Sequence, residues 1–167
     1  MKPTPFPFLL NIGTDIVHIP RIQRLVTRSL TPNSNPNSGQ KTYLSRFVHR
    51  ILCEQEQAYF KSKFQLSSFV SDSTFPSQSI TAQTSTEVAR WLAGRFAAKE
   101  AARKAAPGGA SSISWKEVMV RAEVDGDGRP EVVYLREGDP IGQIGKLSIS
   151  HDGEYVVATV IAATPEE

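Results

Sequence analysis

The fold of this chain is decided by residues 88–105, which read VARWLAGRFAAKEAARKA. Alanine, leucine and arginine are strong helix formers, so the stretch predicts one long helix. Thr84 and Glu87 have the spacing of a capping box and predict where this helix begins. The run Pro107-Gly108-Gly109 predicts its end. Because small alanine side chains let other backbone approach closely, we expect this helix to lie at the centre of the fold.

Strand patterns flank the helix on both sides. Before it, Phe8 to Ile12 reads as a short buried strand with Asp15 at its end, and Ile16 and Val17 as its possible continuation. After it, the apolar residues at positions 118, 120, 122 and 124 alternate with other residues at the period of a half-buried strand. The later strands are predicted at 118–124, 131–135, 146–151 and 155–163, with turns at 125–128 and 152–153. The predicted class is α+β, an antiparallel sheet packed around a long central helix.

A length of 167 residues suits one domain, which we assign to residues 1–167. Two polar stretches, near 31–42 and 65–85, read as loop insertions. Between them, Phe47 to Phe64 is predicted helical with a break near Cys53. Cys53 and Glu56 have capping-box spacing, although cysteine is a poor cap. A shorter helix is predicted over Arg21 to Leu30, with Pro20 in its first turn.

Composition excludes several classes of function. The formal net charge is only +2, which is lower than the strongly positive charge typical of a nucleic-acid-binding protein. One cysteine allows no internal disulfide, so secretion has no support. No apolar run approaches the length of a membrane span, and the first ten residues match neither a signal peptide nor a transit peptide well. We therefore expect an intracellular protein without nucleic-acid or membrane partners.

Four residues carry candidate chemistry, each with a plainer alternative. Glu100 and Lys104 lie four apart on one helix face, where they could hold a divalent metal and a phosphate, or form an ordinary surface ion pair. Asp15 could be a hard oxygen ligand for Mg²⁺, which typically takes one or two protein carboxylates, or a turn residue. His151 sits in a turn context, where most histidines are simply exposed.

Three segments taken together resemble the short 4′-phosphopantetheinyl transferases, the holo-[acyl-carrier-protein] synthase family. They read IGTDIV followed by IPRI at residues 12–22, RFAAKEA followed by KA at 95–105, and LSISHD followed by the last strand from 147 onward. Gly128-Arg129-Pro130 also resembles the family's Gly-x-Pro hairpin. The three segments occur in the family's order and at its approximate spacing.

The resemblance implies transfer of the phosphopantetheine arm of coenzyme A to a serine of an apo acyl carrier protein, with release of 3′,5′-ADP. It implies that Asp15 and Glu100 bind Mg²⁺ and that these two carboxylates and Lys104 are the catalytic residues. Lys104 and His151 would contact CoA, with Arg95 and Ser150 as further, lower-ranked CoA-binding candidates.

The resemblance also places the acidic carrier on a basic face formed by Arg21, Arg24 and Arg28. It implies a homotrimer with sites at subunit interfaces. The two insertions are typical of a eukaryotic, fungal relative, for which a mitochondrial location is favoured over a cytoplasmic one. His18 departs from the family, since many relatives have Glu there. The alternative is a module that binds CoA or carrier without turnover, and a magnesium-dependent nucleotide hydrolase ranks below both.

Overall fold

The computed structural model describes residues 8–28, 42–64, 82–123, 128–135 and 142–164. In chain order the elements are β1 (Leu10–His18), α1 (Ile19–Arg28), α2 (Tyr43–Ile51), α3 (Glu54–Lys63), α4 (Ala82–Ala105), a 3₁₀ turn (Trp115–Glu117), β2 (Val118–Ala122), β3 (Pro130–Tyr134), β4 (Gln143–Asp152) and β5 (Tyr155–Ala163). The α+β class is confirmed. No helix in these ranges is long and apolar enough to cross a membrane.

The five strands form one antiparallel sheet in the order β1-β5-β4-β3-β2. The chain's first strand therefore pairs with its last, from Leu10 opposite Ala163 to His18 opposite Tyr155. The predicted hairpin of β4 and β5 is confirmed, and Gly153 in its turn has a φ of +51°, a value that favours glycine. The turn predicted at 125–128 falls mostly outside the described residues.

Helix α4 is buried on several sides, as its alanine content predicts. It contacts β1, β5 and β2 on one side and α1 on another. Its fully buried residues are mostly alanines, at positions 89, 93, 97, 98, 101, 102 and 105. A helix that is apolar on several sides belongs in the interior rather than at a surface. The sheet therefore packs against a central helix, as expected.

The break predicted near Cys53 is confirmed, because α2 ends at Ile51 and α3 begins at Glu54. Cys53 is the residue before the first turn of α3, and its backbone N–H donates to Glu56 Oε2 at 3.1 Å. This is the reciprocal half of a capping box. Burial and the Glu56 charge raise the pKa of the Cys53 thiol, which favours the unreactive form.

Several predicted boundaries are wrong. β1 begins at Leu10 rather than Phe8 and runs through Asp15 to His18, which confirms the continuation over Ile16 and Val17, because its pairing with β5 is unbroken over nine residues. Helix α4 begins at Ala82, so Thr84 lies inside it rather than capping it. Residues 82–85 are thus helical rather than loop, while 65–81 lie outside the described residues. Thr42 ends the first predicted insertion by capping α2, where its Oγ1 accepts from the Ser45 N–H at 3.1 Å.

Candidate active site

The first part of the candidate site lies where β1 crosses α4. A Cβ atom on Gly13 would lie 2.0 Å from the carbonyl oxygen of Ala101 and 2.7 Å from the backbone nitrogen of Ala105. Only glycine allows this approach of strand to helix. The crossing brings Asp15, two residues along β1 and on the same side of the sheet, onto the turn of α4 that carries Lys104.

Lys104 Nζ lies 2.9 Å from Asp15 Oδ1 and donates to the carbonyl of Thr14 at 2.9 Å. The ordinary Glu100–Lys104 pair, one of the two interpretations of that spacing, does not form. Glu100 Oε1 instead accepts from the guanidinium of Arg103 at 3.0 Å. Each predicted metal ligand is therefore held by a cation through one of its two oxygens.

These residues fit a magnesium ion by their chemistry. Both carboxylates are hard oxygen donors with partly exposed side chains, 17% for Asp15 and 20% for Glu100. Among the described residues, the two carboxylates make their contacts through Oδ1 of Asp15 and Oε1 of Glu100, so a second oxygen of each group is left for a ligand. Within the described ranges no group of three or more metal-binding side chains occurs. Two carboxylates completed by water and phosphate oxygens are the pattern that Mg²⁺ prefers.

A second part of the site is a cleft of about 260 Å³ between the first half of α4 and strands β2 and β4. The predicted residues Arg95 and His151 line it together. Two further cations, Arg90 and Arg121, also line it and were not predicted as site residues. Arg90 lies in a helical pattern and Arg121 in a strand pattern, and neither pattern indicates that the two residues share a cleft. Arg121 Nε already donates to Glu131 Oε1 at 2.8 Å, so Arg90 and His151 are the less engaged basic side chains that could contact a ligand with phosphate charges.

Arg95 is less available than the other cleft residues. Its guanidinium donates to the carbonyl of Val120, lies 3.6 Å from Glu56 Oε1, and stacks on Trp91 with 4.7 Å to the ring centre. Burial lowers the pKa of Arg95, and the Glu56 charge opposes that shift. Its Nη1 is thus engaged inside the protein and its guanidinium is covered by Trp91, which supports its low rank as a CoA-binding candidate.

The structure separates Ser150 from His151. Successive residues of a strand point to opposite faces of a sheet. His151 pairs with the buried Val156 and lines the cleft on the helix-covered face, whereas Ser150 pairs with Val157 on the outer face. Asp15 lies level with Ile149 of β4, two strands away, and His151 is two residues further along β4. Strand spacing therefore puts His151 about 12 Å from Asp15. Ser150 and His151 therefore cannot contact a ligand from the same side of one subunit.

The basic residues Arg21, Arg24 and Arg28 are all exposed on α1, while Ile22 and Val26 are buried on its other side. The predicted amphipathic helix is confirmed, except that residues 29 and 30 lie outside the described part of the chain. Arg28 also stacks on Tyr43 with 5.4 Å to the ring centre. His18 is the last residue of β1, directly before α1, and its Nε2 lies 3.3 Å from Glu154 Oε2.

Two carboxylates and a lysine, with a basic cleft on the same helix, suit the binding of a metal ion and of phosphate groups. Residues 11–160 match the 4′-phosphopantetheinyl transferase superfamily, and the chain belongs to this family of enzymes. It is 52% identical to a protein of Aspergillus fumigatus named 4′-phosphopantetheinyl transferase B, mitochondrial, over 98% of this chain and 99% of that one.

Bacterial relatives agree with this assignment. The chain is 34% identical to the holo-[acyl-carrier-protein] synthase of Chlamydia pneumoniae, over 92% of this chain and 97% of that protein. A crystal structure of the holo-(acyl-carrier-protein) synthase of Bacillus anthracis in complex with CoA (3′,5′-ADP) matches it with a TM-score of 0.55 and 29% identity. That match covers 93% of this chain and 96% of the other.

Proposed function

We propose that this chain transfers the 4′-phosphopantetheine arm of coenzyme A to a serine of an apo acyl carrier protein and releases 3′,5′-ADP. The observation that carries the proposal is the contact between Asp15 of β1 and Lys104 of α4, one helical turn from Glu100. This contact brings together three residues that lie far apart in sequence and that the family resemblance assigns to the reaction.

Asp15 and Glu100 would hold Mg²⁺, which when bound neutralises charge on the CoA diphosphate and on the leaving group. Lys104 is 45% exposed and its ammonium is a compact charge on a flexible stem. It can therefore move from Asp15 to a phosphate oxygen. The partly buried position of both carboxylates limits the water around them, which strengthens their attraction for a bound cation.

The nucleotide part of CoA would occupy the cleft lined by Arg90, Arg121 and His151. These side chains lie on the first half of α4 and on β2 and β4. Arg95 and Lys104 are nine residues apart on α4, about 13 Å along the helix axis. The cleft and the carboxylates could thus contact different phosphates of one extended ligand.

The carrier would dock on the face formed by Arg21, Arg24 and Arg28. Acyl carrier proteins are acidic, so an exposed row of arginines on α1 would steer them toward the site. Helix α1 follows β1 directly, and Ile19 N donates to the carbonyl of Glu154 at 2.8 Å, which holds the helix at the end of the sheet. A carrier bound to α1 would therefore lie near the strand that carries Asp15.

We propose a homotrimer, as the family resemblance implies, and the outer face of the sheet supports self-association of the chain. The outward residues of β1 and β5 carry no charge along most of their length, and several apolar ones are strongly exposed. They include Leu10, Ile12, Ile16 and Ile161, with exposed fractions of 49%, 68%, 62% and 45%. An uncharged, apolar face of this kind can bury itself against another copy of the same chain. Ser150 lies on this face and would meet the neighbouring subunit.

The trimer is tested by measuring mass in solution with multi-angle light scattering. We expect a mass of three chains for the wild type and a lower mass for Ile12→Glu and Ile16→Glu. Tyr43→Glu, which changes an exposed residue on α2, is the matched control and would keep the trimer. A monomeric wild type would reject the proposal.

A mitochondrial location is proposed from the name of the Aspergillus fumigatus relative. It is tested by fractionating cells that express the chain and locating it by immunoblot against markers for mitochondria and cytosol. Recovery only with cytosolic markers would reject it.

The transfer reaction is tested by incubating the protein with CoA, Mg²⁺ and an apo carrier, then measuring the carrier's mass. We expect the carrier to gain one phosphopantetheine. Cleavage of CoA without carrier modification would instead support a hydrolase. Binding of CoA without any product would support the non-catalytic module.

A further inference from the structure

The side chain of Arg103 is fixed by four contacts. Its Nε donates to the carbonyl of Ile113 at 2.9 Å and one terminal nitrogen donates to the carbonyl of Ala110 at 2.6 Å. Its guanidinium also stacks on Trp115, with 4.8 Å to the ring centre. The remaining terminal nitrogen donates to Glu100 Oε1 at 3.0 Å. Three of these contacts do not depend on Glu100.

The two candidate metal carboxylates are therefore held in different ways. Asp15 contacts Lys104, whose side chain is 45% exposed and free to exchange partners. Glu100 contacts Arg103, whose side chain is only 18% exposed and anchored to the connection that follows α4. An anchored guanidinium fixes the position of a carboxylate without competing as a mobile counter-ion would. It leaves Glu100 Oε2 available to a ligand.

We propose that Arg103 is a positioning residue for Glu100. It holds the Glu100 side chain in the orientation that binds metal, and it ties that orientation to residues 110–115. The proposal rests on the proposed function, since it assigns Glu100 to the metal. Groups that orient a metal ligand in this way typically change metal affinity or activity by about 10- to 100-fold when removed.

The experiment uses Arg103→Lys and Arg103→Gln. Lysine keeps the charge but cannot donate to three separate acceptors in one plane. Binding of Mn²⁺ is measured by electron paramagnetic resonance in the presence of CoA and without carrier. We expect both variants to bind Mn²⁺ about tenfold more weakly or worse. In the transfer assay both variants would have a lower kcat than the wild type and an unchanged KM for the carrier.

Arg46→Lys is the matched control, because Arg46 also stacks on a ring, that of Tyr43, with 4.7 Å to its centre. It would bind Mn²⁺ as the wild type does. Thermal unfolding followed by circular dichroism identifies a temperature at which every variant is folded. Mn²⁺ binding and transfer are measured at that temperature.

Three results would overturn the proposal. If Arg103→Gln binds Mn²⁺ more tightly and Arg103→Lys binds it normally, Arg103 acts only as a repelling charge. If both variants melt earlier yet bind Mn²⁺ and turn over normally when folded, Arg103 only anchors the connection. If the wild type transfers phosphopantetheine but binds no Mn²⁺, the metal assignment fails together with this proposal, whereas a wild type that transfers nothing rejects the proposed function itself.

Discussion

Lys99 Nζ lies 2.5 Å from Glu56 Oε2, and both side chains are almost fully buried. The lysine also donates to the carbonyls of Ile51 and Trp115, at 2.6 Å and 2.9 Å. Burial lowers the pKa of Lys99, while the Glu56 charge opposes that shift. One ion pair thus connects the end of α2, the start of α3, the middle of α4 and the 3₁₀ turn before β2.

Replacing Lys99 with Met would leave the Glu56 carboxylate buried without its nearest partner. Breaking a buried pair in this way costs about 3–5 kcal/mol, so we expect a loss of that order in the free energy of unfolding. Urea unfolding followed by circular dichroism measures it. Lys104→Met is the control on the same helix, and its partly exposed pair with Asp15 predicts a change of about 0–1 kcal/mol. Equal changes in the two variants would contradict this account.

A glycine-to-alanine substitution is expected to have opposite effects on stability at Gly13, which packs against α4, and at Gly94, which lies within α4. Gly13→Ala would drive a Cβ into the backbone of α4, and such overpacking costs about 1–3 kcal/mol or more. Gly94→Ala lies inside the helix with nothing within 4 Å of the added carbon, so it would gain about 1 kcal/mol. Thermal melting of both variants tests the pair. A Gly13→Ala protein as stable as the wild type would mean that β1 does not approach α4 so closely.

The metal assignment predicts that Asp15→Asn and Glu100→Gln nearly abolish transfer. These substitutions keep the shape of each side chain and remove its charge, and loss of a metal-centred contact costs several kcal/mol of barrier. Melting temperatures would change little, because both groups are partly exposed. Glu87→Gln, an exposed residue on the same helix, is the control. Near-normal turnover in Glu100→Gln would remove Glu100 from the site.

The docking face predicts a kinetic effect confined to the carrier. We expect Arg21→Glu and Arg24→Glu to raise the KM for the carrier and to leave the KM for CoA unchanged, since such charges act mainly on association. Lys63→Glu on α3 makes the same charge change elsewhere and is the control. Added salt would weaken carrier use by the wild type, because exposed charges are screened over about 8–10 Å. Carrier kinetics unaffected by charge reversal at low salt would make the row an ordinary solvated face.

Tyr134 predicts how stability depends on alkaline pH. Its hydroxyl donates to the carbonyl of Ala102 at 2.8 Å, and burial raises the pKa of Tyr134 to about 12. The folded state therefore keeps the proton between pH 10 and 12, where the unfolded state loses it. This contribution to the free energy of unfolding amounts to about 2–3 kcal/mol. It is complete below pH 10 and is lost as the pH rises toward 12.

Urea unfolding between pH 9 and pH 12 measures that loss. Tyr134→Phe would be less stable at pH 9 by about 1 kcal/mol for the missing hydrogen bond, and would lose less stability at higher pH. Tyr43→Phe changes an exposed tyrosine and would keep the wild-type dependence. The same pH dependence in Tyr134→Phe as in the wild type would assign the loss to other groups.

Local patterns in the sequence determined most of the elements. The alanine-rich run determined α4, because small residues with high helix propensity favour a buried helix wherever it packs. Period-two alternation predicted β2. The turn signal at Asp152-Gly153 predicted the hairpin of β4 and β5, although Asp152 is the last residue of β4 and the turn itself is Gly153-Glu154. The same reasoning misjudged β1, because its apolar residues Ile12 and Ile16 face away from the core. Apolar character alone cannot tell which face of a strand is covered.

Only the tertiary structure decided which charged residues meet. Lys99 and Glu100 are neighbours in sequence, yet one is buried against Glu56, 43 positions away, and the other lies partly exposed against Arg103. Arg90 and Arg121 share a cleft with His151 because α4, β2 and β4 converge there. Helical spacing predicts contacts within one helix. Contacts between elements depend on how the sheet packs on that helix, which no local pattern encodes.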